Sequence, residues 1–211
     1  MDQKLSDAEQ ALLSQFNEKV LPYLDEIDSD QTFSPHEEEK LIAFAVMQAY
    51  GEENKTEFTL GEINNIIGQF FNKEISTENY DQNTPSPYLQ EKGIYYMLGE
   101  DRYIYEPRTK SKHEIASTPI NAYIQKEAKI RNNVITVTYS KYLIEDPYAV
   151  LNDASGAQKD TTGVGDYLAG KGKAKNLKRL ISAENADKVA TFQKDYTLTL
   201  EIKNNKISAN F

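Results

Sequence analysis

The alternation of apolar and polar residues at the end of the chain predicts a β-hairpin. Residues 196–211 form two alternating runs on either side of Asn204 and Asn205. Because Asn tolerates positive φ, this pair suits the two-residue turns that close hairpins. A slip of one residue would move every apolar side chain to the other face, so the pattern also specifies the register. The apolar face, which we expect to lie in the core, carries Leu198, Leu200, Ile202, Ile207, Ala209 and Phe211.

A second pair, Asn132 and Asn133, predicts another hairpin upstream. Residues 120–130 fit both the helical and the strand period, but the alternating run VITVTYSKYL after Asn133 favours strands. The predicted register pairs Ile130 with Ile135, Ala128 with Val137, Ala122 with Leu143, Lys129 with Thr136 and Glu127 with Thr138. The Tyr-rich segment IYYMLGEDRYIYEP predicts a third hairpin that turns at Gly99–Asp101. Val189–Phe192 predicts a further short strand.

Three capping boxes mark helix starts in the first third of the chain. In each box, a Ser or Thr side chain and a Glu three residues later satisfy backbone N–H groups of the first helical turn. Apolar residues at helical spacing follow each of them. The boxes are Ser6–Glu9, Ser34–Glu37 and Thr59–Glu62.

Helix ends are also visible in the sequence. The first helix should end or kink near Val20, because Pro22 has no N–H to donate. The second helix, residues 35–50, is apolar nearly all round, and Gly51 should stop it. The third should reach Phe71.

Polar, Pro-rich and Gly-rich stretches separate these elements. Residues 72–92 and 107–119 are typical of irregular connections. Residues 145–173 are loop-like and Gly-rich, with a possible short helix that starts at Asp146–Pro147. Apolar spacing predicts a helix over residues 174–183.

Helices followed by antiparallel hairpins are typical of an α+β fold. We therefore predict N-terminal helices packed on one face of an antiparallel sheet that is built from C-terminal hairpins. The helical segment would comprise residues 1–71, with about three helices. The β-rich segment would comprise residues 93–211, with one inserted helix, and we expect the two segments to form one globular unit.

Composition excludes several classes of protein. The 211 residues suit one domain with an appendage, or two small domains. The absence of Cys excludes disulfides, thiol nucleophiles and Cys-ligated zinc or iron–sulfur sites. No apolar run reaches the ~18–20 residues that span a bilayer. Met1 opens on a polar, acidic segment instead of a signal peptide. We expect no transmembrane segment and no cofactor.

The net charge of −9 is unevenly distributed along the chain. Residues 1–106 contain 7 Lys and Arg against 22 Asp and Glu, whereas residues 107–211 contain 17 against 11. Either the two halves attract each other, or the second half presents a basic surface to an anionic partner. The densest basic cluster is either a solvated loop or a polyanion-binding site, and its lack of aromatic residues argues against nucleic acid. Its members are Lys171, Lys173, Lys175, Lys178 and Arg179.

Two patterns resemble ligand-binding loops but lack a residue that the chemistry requires. Residues 165–171 have the spacing of a phosphate-binding loop, but Gly172 stands where a Ser or Thr should hold Mg²⁺. Asp28, Asp30 and Glu39 fit a calcium-binding loop that lacks the Gly of its sharp turn. We therefore predict no metal site.

The remaining candidate catalytic residues are few. The two histidines, His36 and His113, lie far apart in the sequence, and no nucleophile signature marks a Ser. The fourteen tyrosines either pack the sheet or line a recognition surface.

Four segments, in their order along the chain, resemble uncharacterised extracytoplasmic domains of Gram-positive lipoproteins and membrane-anchored proteins. They are LIAFAVMQAY, FTLGEINNIIGQFFNK, IYYMLGEDRYIYEP and YTLTLEIKNNKISANF. The resemblance brings no catalytic or binding residue with it. It implies an extracellular or cell-surface location, with the cytoplasm as the alternative.

Three function classes follow from these observations. We favour a non-catalytic binding or interaction domain of a bacterial surface or secreted protein, whose partner is a cell-surface polymer or another protein. A hydrolase is the first alternative, and it would need two carboxyls with pKa values pushed apart. A cytoplasmic regulatory or assembly protein is the second.

Overall fold

The computed structural model describes residues 1–27, 35–75, 86–97, 99–156, 162–170 and 172–210. Helices and two antiparallel sheets are present, so the predicted α+β class is confirmed. The helices are α1 (Asp7–Val20), α2 (Pro35–Glu53), α3 (Leu60–Phe70), α4 (Pro87–Glu91), α5 (Lys112–Ser117), α6 (Pro147–Gly156), α7 (Thr162–Leu168), α8 (Ala174–Lys178) and α9 (Ala186–Val189). The strands are β1 (Glu57–Thr59), β2 (Ile94–Met97), β3 (Arg102–Tyr105), β4 (Ile120–Arg131), β5 (Val134–Ile144), β6 (Thr191–Lys203) and β7 (Lys206–Asn210).

The chain divides into two compact units. The first unit comprises Met1–Pro22 and Thr109–Thr199, and the second comprises Tyr23–Arg108 and Leu200–Phe211. Each unit contains both helices and strands, so the units do not follow the division into residues 1–71 and 93–211. The expectation of one globular unit stays a prediction.

The first helix begins and ends where the sequence predicted. Ser6 and Glu9 form the capping box, and Leu13, Phe16 and Val20 are buried. Beyond Val20 the chain tightens into a 3-10 helix, Leu21–Glu26. This change is expected because the N–H that would continue the α-helix is missing at Pro22.

The predicted stop of the second helix was wrong. Gly51 lies inside α2, which ends at Glu53. Asn54 follows with a φ of 59°, and its N–H donates to the carbonyl oxygen of Tyr50 at 3.0 Å. A Cβ on Gly51 would lie only 2.0 Å from the hydroxyl oxygen of Tyr23. The glycine therefore permits the close approach of a tyrosine ring instead of ending the helix.

The β4–β5 hairpin has the predicted register near its turn. Both Asn residues of the turn have positive φ. Ile130 pairs with Ile135, Ala128 with Val137, Lys129 with Thr136 and Glu127 with Thr138. A β-bulge then inserts Lys126, so that Ala122 pairs with Tyr142 and not with Leu143 as predicted.

Helices cover both faces of β5, and not one face as expected. Tyr139 points to α1, where its hydroxyl donates to Asn17 Oδ1 at 2.6 Å. Asn17 Nδ2 in turn donates to Gln125 Oε1 at 2.8 Å. Ile144 follows Tyr139 by five residues on the same strand. Because successive side chains of a strand alternate between its two faces, Ile144 points to the opposite side. There it joins a buried cluster that comprises Ile115, Ala122, Val150, Leu168, Leu177, Leu180, Ile181, Ala186 and Val189.

Short helices occupy segments in which the sequence predicted loops. α4 starts at Pro87 behind the N-cap Ser86, and α5 starts behind the N-cap Ser111. Both serines accept a hydrogen bond from a backbone N–H of the first turn, so a local cap outweighs the polar composition. The described part of residues 93–211 thus contains α5 to α9, where we expected one inserted helix.

The helix predicted over residues 174–183 is shorter, because Asn185 organises a turn after it. Asn185 Nδ2 donates to the carbonyl oxygen of Leu180 at 2.8 Å, and its Oδ1 accepts from the N–H of Ser182 at 2.7 Å. Such side-chain bonds compete with helical ones. The short strand predicted at Val189–Phe192 is instead split between the end of α9 and the start of β6.

The second unit contains a three-stranded sheet with one buried face. Its strand order is β1-β3-β2, antiparallel throughout. Phe58, Ile94 and Tyr103, one from each strand, are at most 2% exposed. Aromatic contacts of Phe44 in α2 continue this core, with its ring 4.8 Å from that of Phe71. The alternate residues of each strand lie on the opposite face, where Tyr95 and Met97 are exposed.

The other sheet has the order β4-β5-β6-β7 and ends in the predicted closing hairpin. Its strand β6 runs through both units, which meet in the sequence between Thr199 and Leu200. Asn204 and Asn205 both have positive φ, as the turn prediction requires. Leu198, Leu200, Ile207 and Ala209 are buried, so the inward face was predicted correctly; Phe211 lies outside the described residues.

We expect Leu200→Ala to lower the free energy of unfolding by about 2–5 kcal/mol, because it empties a fully buried site. Thr199→Ala, one residue away on the exposed face, should change it by less than about 0.5 kcal/mol. Denaturant unfolding of the two variants measures both values. Equal losses would contradict the assignment of the inward face.

Candidate functional site

The basic cluster predicted to bind a polyanion is partly engaged within the first unit. Lys178 Nζ donates to the carbonyl oxygen of Pro22 at 3.0 Å. Arg179 Nη2 donates to the carbonyl oxygen of Glu18, also at 3.0 Å. Both cations thus lie at the C-terminal end of α1, where the helix dipole favours positive charge.

Pro22 explains why a guanidinium is needed at this place. In a continuing α-helix, the carbonyl oxygen of Glu18 would accept from the N–H of residue 22, but proline has none. Leu21, the last N–H donor of the helix, bonds Asn17. Arg179 supplies the missing donor for Glu18, so this part of the cluster serves as a helix cap.

The other three members of the cluster do not test whether it binds a polyanion, so the polyanion site stays a prediction. Lys173, the N-cap residue of α8, and Lys175, within α8, are half-buried, and both interact with other groups of the protein. Lys171 lies outside the described residues. At least two of the five cations therefore donate hydrogen bonds to backbone carbonyl groups of the protein itself.

The run that resembles a phosphate-binding loop forms the end of a helix. Within residues 165–171, α7 gives way to Gly170 at a φ of 81°. The N–H of Gly170 donates to Tyr167, and that of Gly172 donates to Asp166 at 2.8 Å. These N–H groups cap α7 and do not converge on a phosphate-sized space. A Cβ on Gly172 would lie 2.2 Å from the backbone nitrogen of Tyr167, so its glycine serves tight packing.

The other sequence candidates do not assemble into a site in the described part of the chain. Asp28, Asp30 and Ser34 lie outside the described residues, as does the side chain of His36. His113 is exposed in α5. Among the described residues, no group of three or more His, Asp or Glu side chains could hold a metal ion.

A polar cluster that the sequence did not reveal surrounds the bulge in β4. Lys126 Nζ lies 2.8 Å from Asp195 Oδ2, and the Ser140 hydroxyl donates to Asp195 Oδ1 at 3.1 Å. The hydrogen bond from Lys126, then that from Ser140, lowers the pKa of Asp195, and the same ion pair raises the pKa of Lys126. Only the bulge places Lys126 here, and nothing in the strand pattern signals it.

This cluster contains a Ser, a Lys and an Asp, yet its electrostatics oppose catalysis. A Lys that activates a Ser must be neutral, which requires a lowered pKa. The pKa of Lys126 is raised, so the amine stays protonated. A carboxylate with a lowered pKa, such as Asp195, is a weak base. The arrangement therefore stabilises the sheet and is not poised for acyl transfer.

A polar cavity of about 440 Å³ opens at the turn of the β4–β5 hairpin. Three of its lining residues already make hydrogen bonds within the protein. Gln3 and Ile130 exchange backbone hydrogen bonds of 2.9 Å each, and Glu9 accepts from the N–H of Ser6. The cavity contains one carboxylate and no second one, so it does not provide the pair that a hydrolase needs. Its lining residues are Met1, Gln3, Glu9, Ile130, Arg131, Asn132 and Asn133.

Apolar side chains lie on the outer face of the three-stranded sheet in the second unit. Tyr95 and Met97 of β2 are 36% and 38% exposed. Tyr95 pairs with Ile104 and Met97 with Arg102, so all four side chains lie on one face. Strand β1 adds Glu57 and Thr59 to that face through the same two residues of β3. We call this set of six residues the Tyr95–Met97 face.

A single cation is shared by two carboxylates at this face. Arg102 Nη1 lies 3.0 Å from Glu57 Oε2, and Arg102 Nε lies 3.4 Å from Glu100 Oε2. The side chains of Glu57 and Glu100 are 61% and 55% exposed, so both carboxylates reach the solvent. On the other face of the sheet, where Tyr96 pairs with Tyr103, the Tyr96 hydroxyl donates to Asp101 at 2.6 Å. The Tyr95–Met97 face is thus apolar in its centre and acidic at its rim.

Ionisable groups behind the sheet hold it in place. Glu26 Oε2 lies 2.8 Å from Lys92 Nζ, and this ammonium lies 5.1 Å from the ring centre of Tyr88. Burial, followed by the charges of Tyr50 and Glu26, raises the pKa of Tyr105 to about 12. The phenol of Tyr105 therefore stays protonated at neutral pH and cannot act as a base there.

We expect Arg179→Met to lower the free energy of unfolding by about 1 kcal/mol, because the Glu18 carbonyl loses its donor. In a Pro22→Ala background the loss should be smaller, since residue 22 then offers an N–H to the same carbonyl. Exposed Lys110→Met is the charge-matched control and should have little effect. A loss that is the same in both backgrounds would show that Arg179 does not replace the missing N–H.

We expect the pKa of Asp195, measured by carbon NMR, to lie below its ordinary value of 3.8. Lys126→Met should bring it closer to 3.8, and Ser140→Ala should do so to a smaller degree. Because the folded pKa is lowered, this ion pair stabilises the fold above pH 3.8 and ceases to do so as the pH falls through the folded pKa. A pKa that is unchanged in Lys126→Met would contradict the pairing.

No helix in the described part of the chain is both long enough and apolar enough to cross a membrane. Comparison with models of protein families, with curated proteins and with solved structures finds no match for this chain. The resemblance to extracytoplasmic lipoprotein domains accordingly stays a prediction. What supports a function is the geometry of this chain's own side chains.

Proposed function

We propose that this protein is a non-catalytic interaction module, and that it contacts its partner through the Tyr95–Met97 face. The observation that carries this proposal is the exposure of Tyr95 and Met97, which lie beside the half-buried Ile104 and Arg102 on the same sheet face. Outward positions of a half-buried antiparallel sheet are normally polar. Tyr, Met and Arg are the residue types enriched where proteins meet.

The charge states of the described ion pairs support binding over catalysis. Lys55, followed by Thr59, lowers the pKa of Glu62, and Lys126 lowers that of Asp195. A carboxyl that acts as a general acid near neutral pH requires a raised pKa. These pairs hold carboxylates ionised, which suits solubility and recognition by charge.

A bacterial surface or secreted protein is the setting that we propose for this module. The order of its apolar segments, which resembles that of extracytoplasmic lipoprotein domains, supports this setting. The cytoplasmic alternative, a regulatory or assembly protein, would use the same face in the same way. The proposed interaction therefore does not depend on the compartment.

A random-peptide display library, panned against the folded protein, tests this proposal. We expect enriched peptides that bind the wild type and lose binding to Tyr95→Ser/Met97→Ser. The matched control is Tyr148→Ser/Phe192→Ser, which removes from the first unit two apolar side chains that are at least as exposed as Tyr95 and Met97. This control should retain binding, and circular dichroism should show that both variants fold.

Two outcomes would contradict the proposal. One is a library from which no peptide is enriched. The other is a set of peptides whose binding is insensitive to Tyr95→Ser/Met97→Ser.

A further inference from the structure

We infer that the partner of the Tyr95–Met97 face is a basic protein segment, one that carries apolar side chains between its lysines or arginines. This inference rests on the proposed function and specifies the chemistry of the partner. Three observations support it: the net negative charge of the second unit, the carboxylates at the rim of the face and the apolar side chains at its centre.

The negative charge of the protein is concentrated in the second unit. Its two segments contain 19 Asp and Glu against 8 Lys and Arg, a net charge of −11. The first unit contains 14 against 16, a net charge of +2. A summed charge of this size attracts cations over roughly a Debye length, about 8–10 Å at ordinary ionic strength. The second unit is therefore the one that attracts a basic partner.

The rim of the face provides acceptors for that partner. Glu57 and Glu100 share Arg102, so one carboxylate charge remains uncompensated within this group of three. Both carboxylates are more than half exposed and can accept from an incoming ammonium or guanidinium. Charge complementarity of this kind determines the orientation and the association rate of a partner.

The centre of the face provides the apolar contact. Tyr95 and Ile104 are direct cross-strand partners, and Met97 follows Tyr95 on the same side of β2. Met adapts its shape to irregular surfaces, and a tyrosine ring also attracts cations over its face. A purely polar basic chain would leave this centre exposed, so the partner must place apolar side chains on it.

The same charges argue against other occupants. A second copy of the chain carries −9 overall and is repelled at low ionic strength. An anionic polymer or an acidic bilayer is repelled more strongly, because the face belongs to the unit with −11. These occupants remain distinguishable outcomes of the experiment.

Three labelled peptides of equal length test the inference by fluorescence anisotropy. One alternates Lys with Val, one alternates Glu with Val and one alternates Lys with Ser. We expect the Lys-Val peptide to bind about tenfold more tightly than either of the other two peptides. High salt should lower the affinity of the Lys-Val peptide.

Two variants locate the binding. Tyr95→Ser/Met97→Ser should abolish it, and Glu57→Gln/Glu100→Gln should weaken it about tenfold and reduce its salt dependence. Glu145→Gln/Glu184→Gln is the matched control, because it removes two exposed carboxylates from the first unit. Its net charge equals that of Glu57→Gln/Glu100→Gln. We expect this control to bind as the wild type does.

The outcomes separate this inference from the proposed function. If the Glu-Val peptide binds as well as the Lys-Val peptide and is lost in Tyr95→Ser/Met97→Ser, the partner is not basic, but the face remains an interaction site. If neither these peptides nor any library peptide binds, both proposals are wrong. A dimer in sedimentation that Tyr95→Ser/Met97→Ser disrupts would assign the face to a second copy and overturn the basic partner.

Discussion

The missing N–H of Pro22 is the constraint on which the arrangement of the first unit depends. It ends α1, turns the chain into a 3-10 helix and leaves the Glu18 carbonyl without its helical donor. Arg179 and Lys178, which lie far along the chain, donate to the carbonyl oxygens of Glu18 and Pro22. The proline that stops the helix thereby also determines where Lys178 and Arg179 pack.

The two units use their sheets differently, and this difference bears on function. In the first unit α1 reaches one side of β5 through Asn17 and Tyr139, while the small helices bury Ile144 on the other. In the described part of the second unit the helices bury the side of Phe58 and Tyr103, while Tyr95 and Met97 on the other side are exposed. Covering both faces stabilises a core, whereas leaving one face open keeps apolar side chains available to a partner.

Local signals in the sequence were sufficient for the class of the fold and for most element types. Asn132 and Asn133 gave the turn and the adjacent register, because a two-residue turn and strict alternation leave little freedom. The bulge at Lys126 could not be predicted, since it places Lys126 against Asp195, which lies on β6 far along the chain and also accepts from Ser140. Gly51 was misread for a similar reason. A helix stop and a close tertiary approach both favour glycine, and only the position of Tyr23 distinguishes them.

The Tyr95–Met97 face could not be predicted from the sequence, because both faces of β2 are apolar. Ile94 and Tyr96 alternate with Tyr95 and Met97, so hydrophobicity alone cannot tell the buried side from the open one. Only the packing of the helices against Ile94 makes that choice. Burial in the core explains why the face of β2 with Ile94 is apolar. It does not explain the exposed apolar side chains on the opposite face. Together with the excess of carboxylates in the same unit, these side chains are the reason why we propose a recognition role for this face.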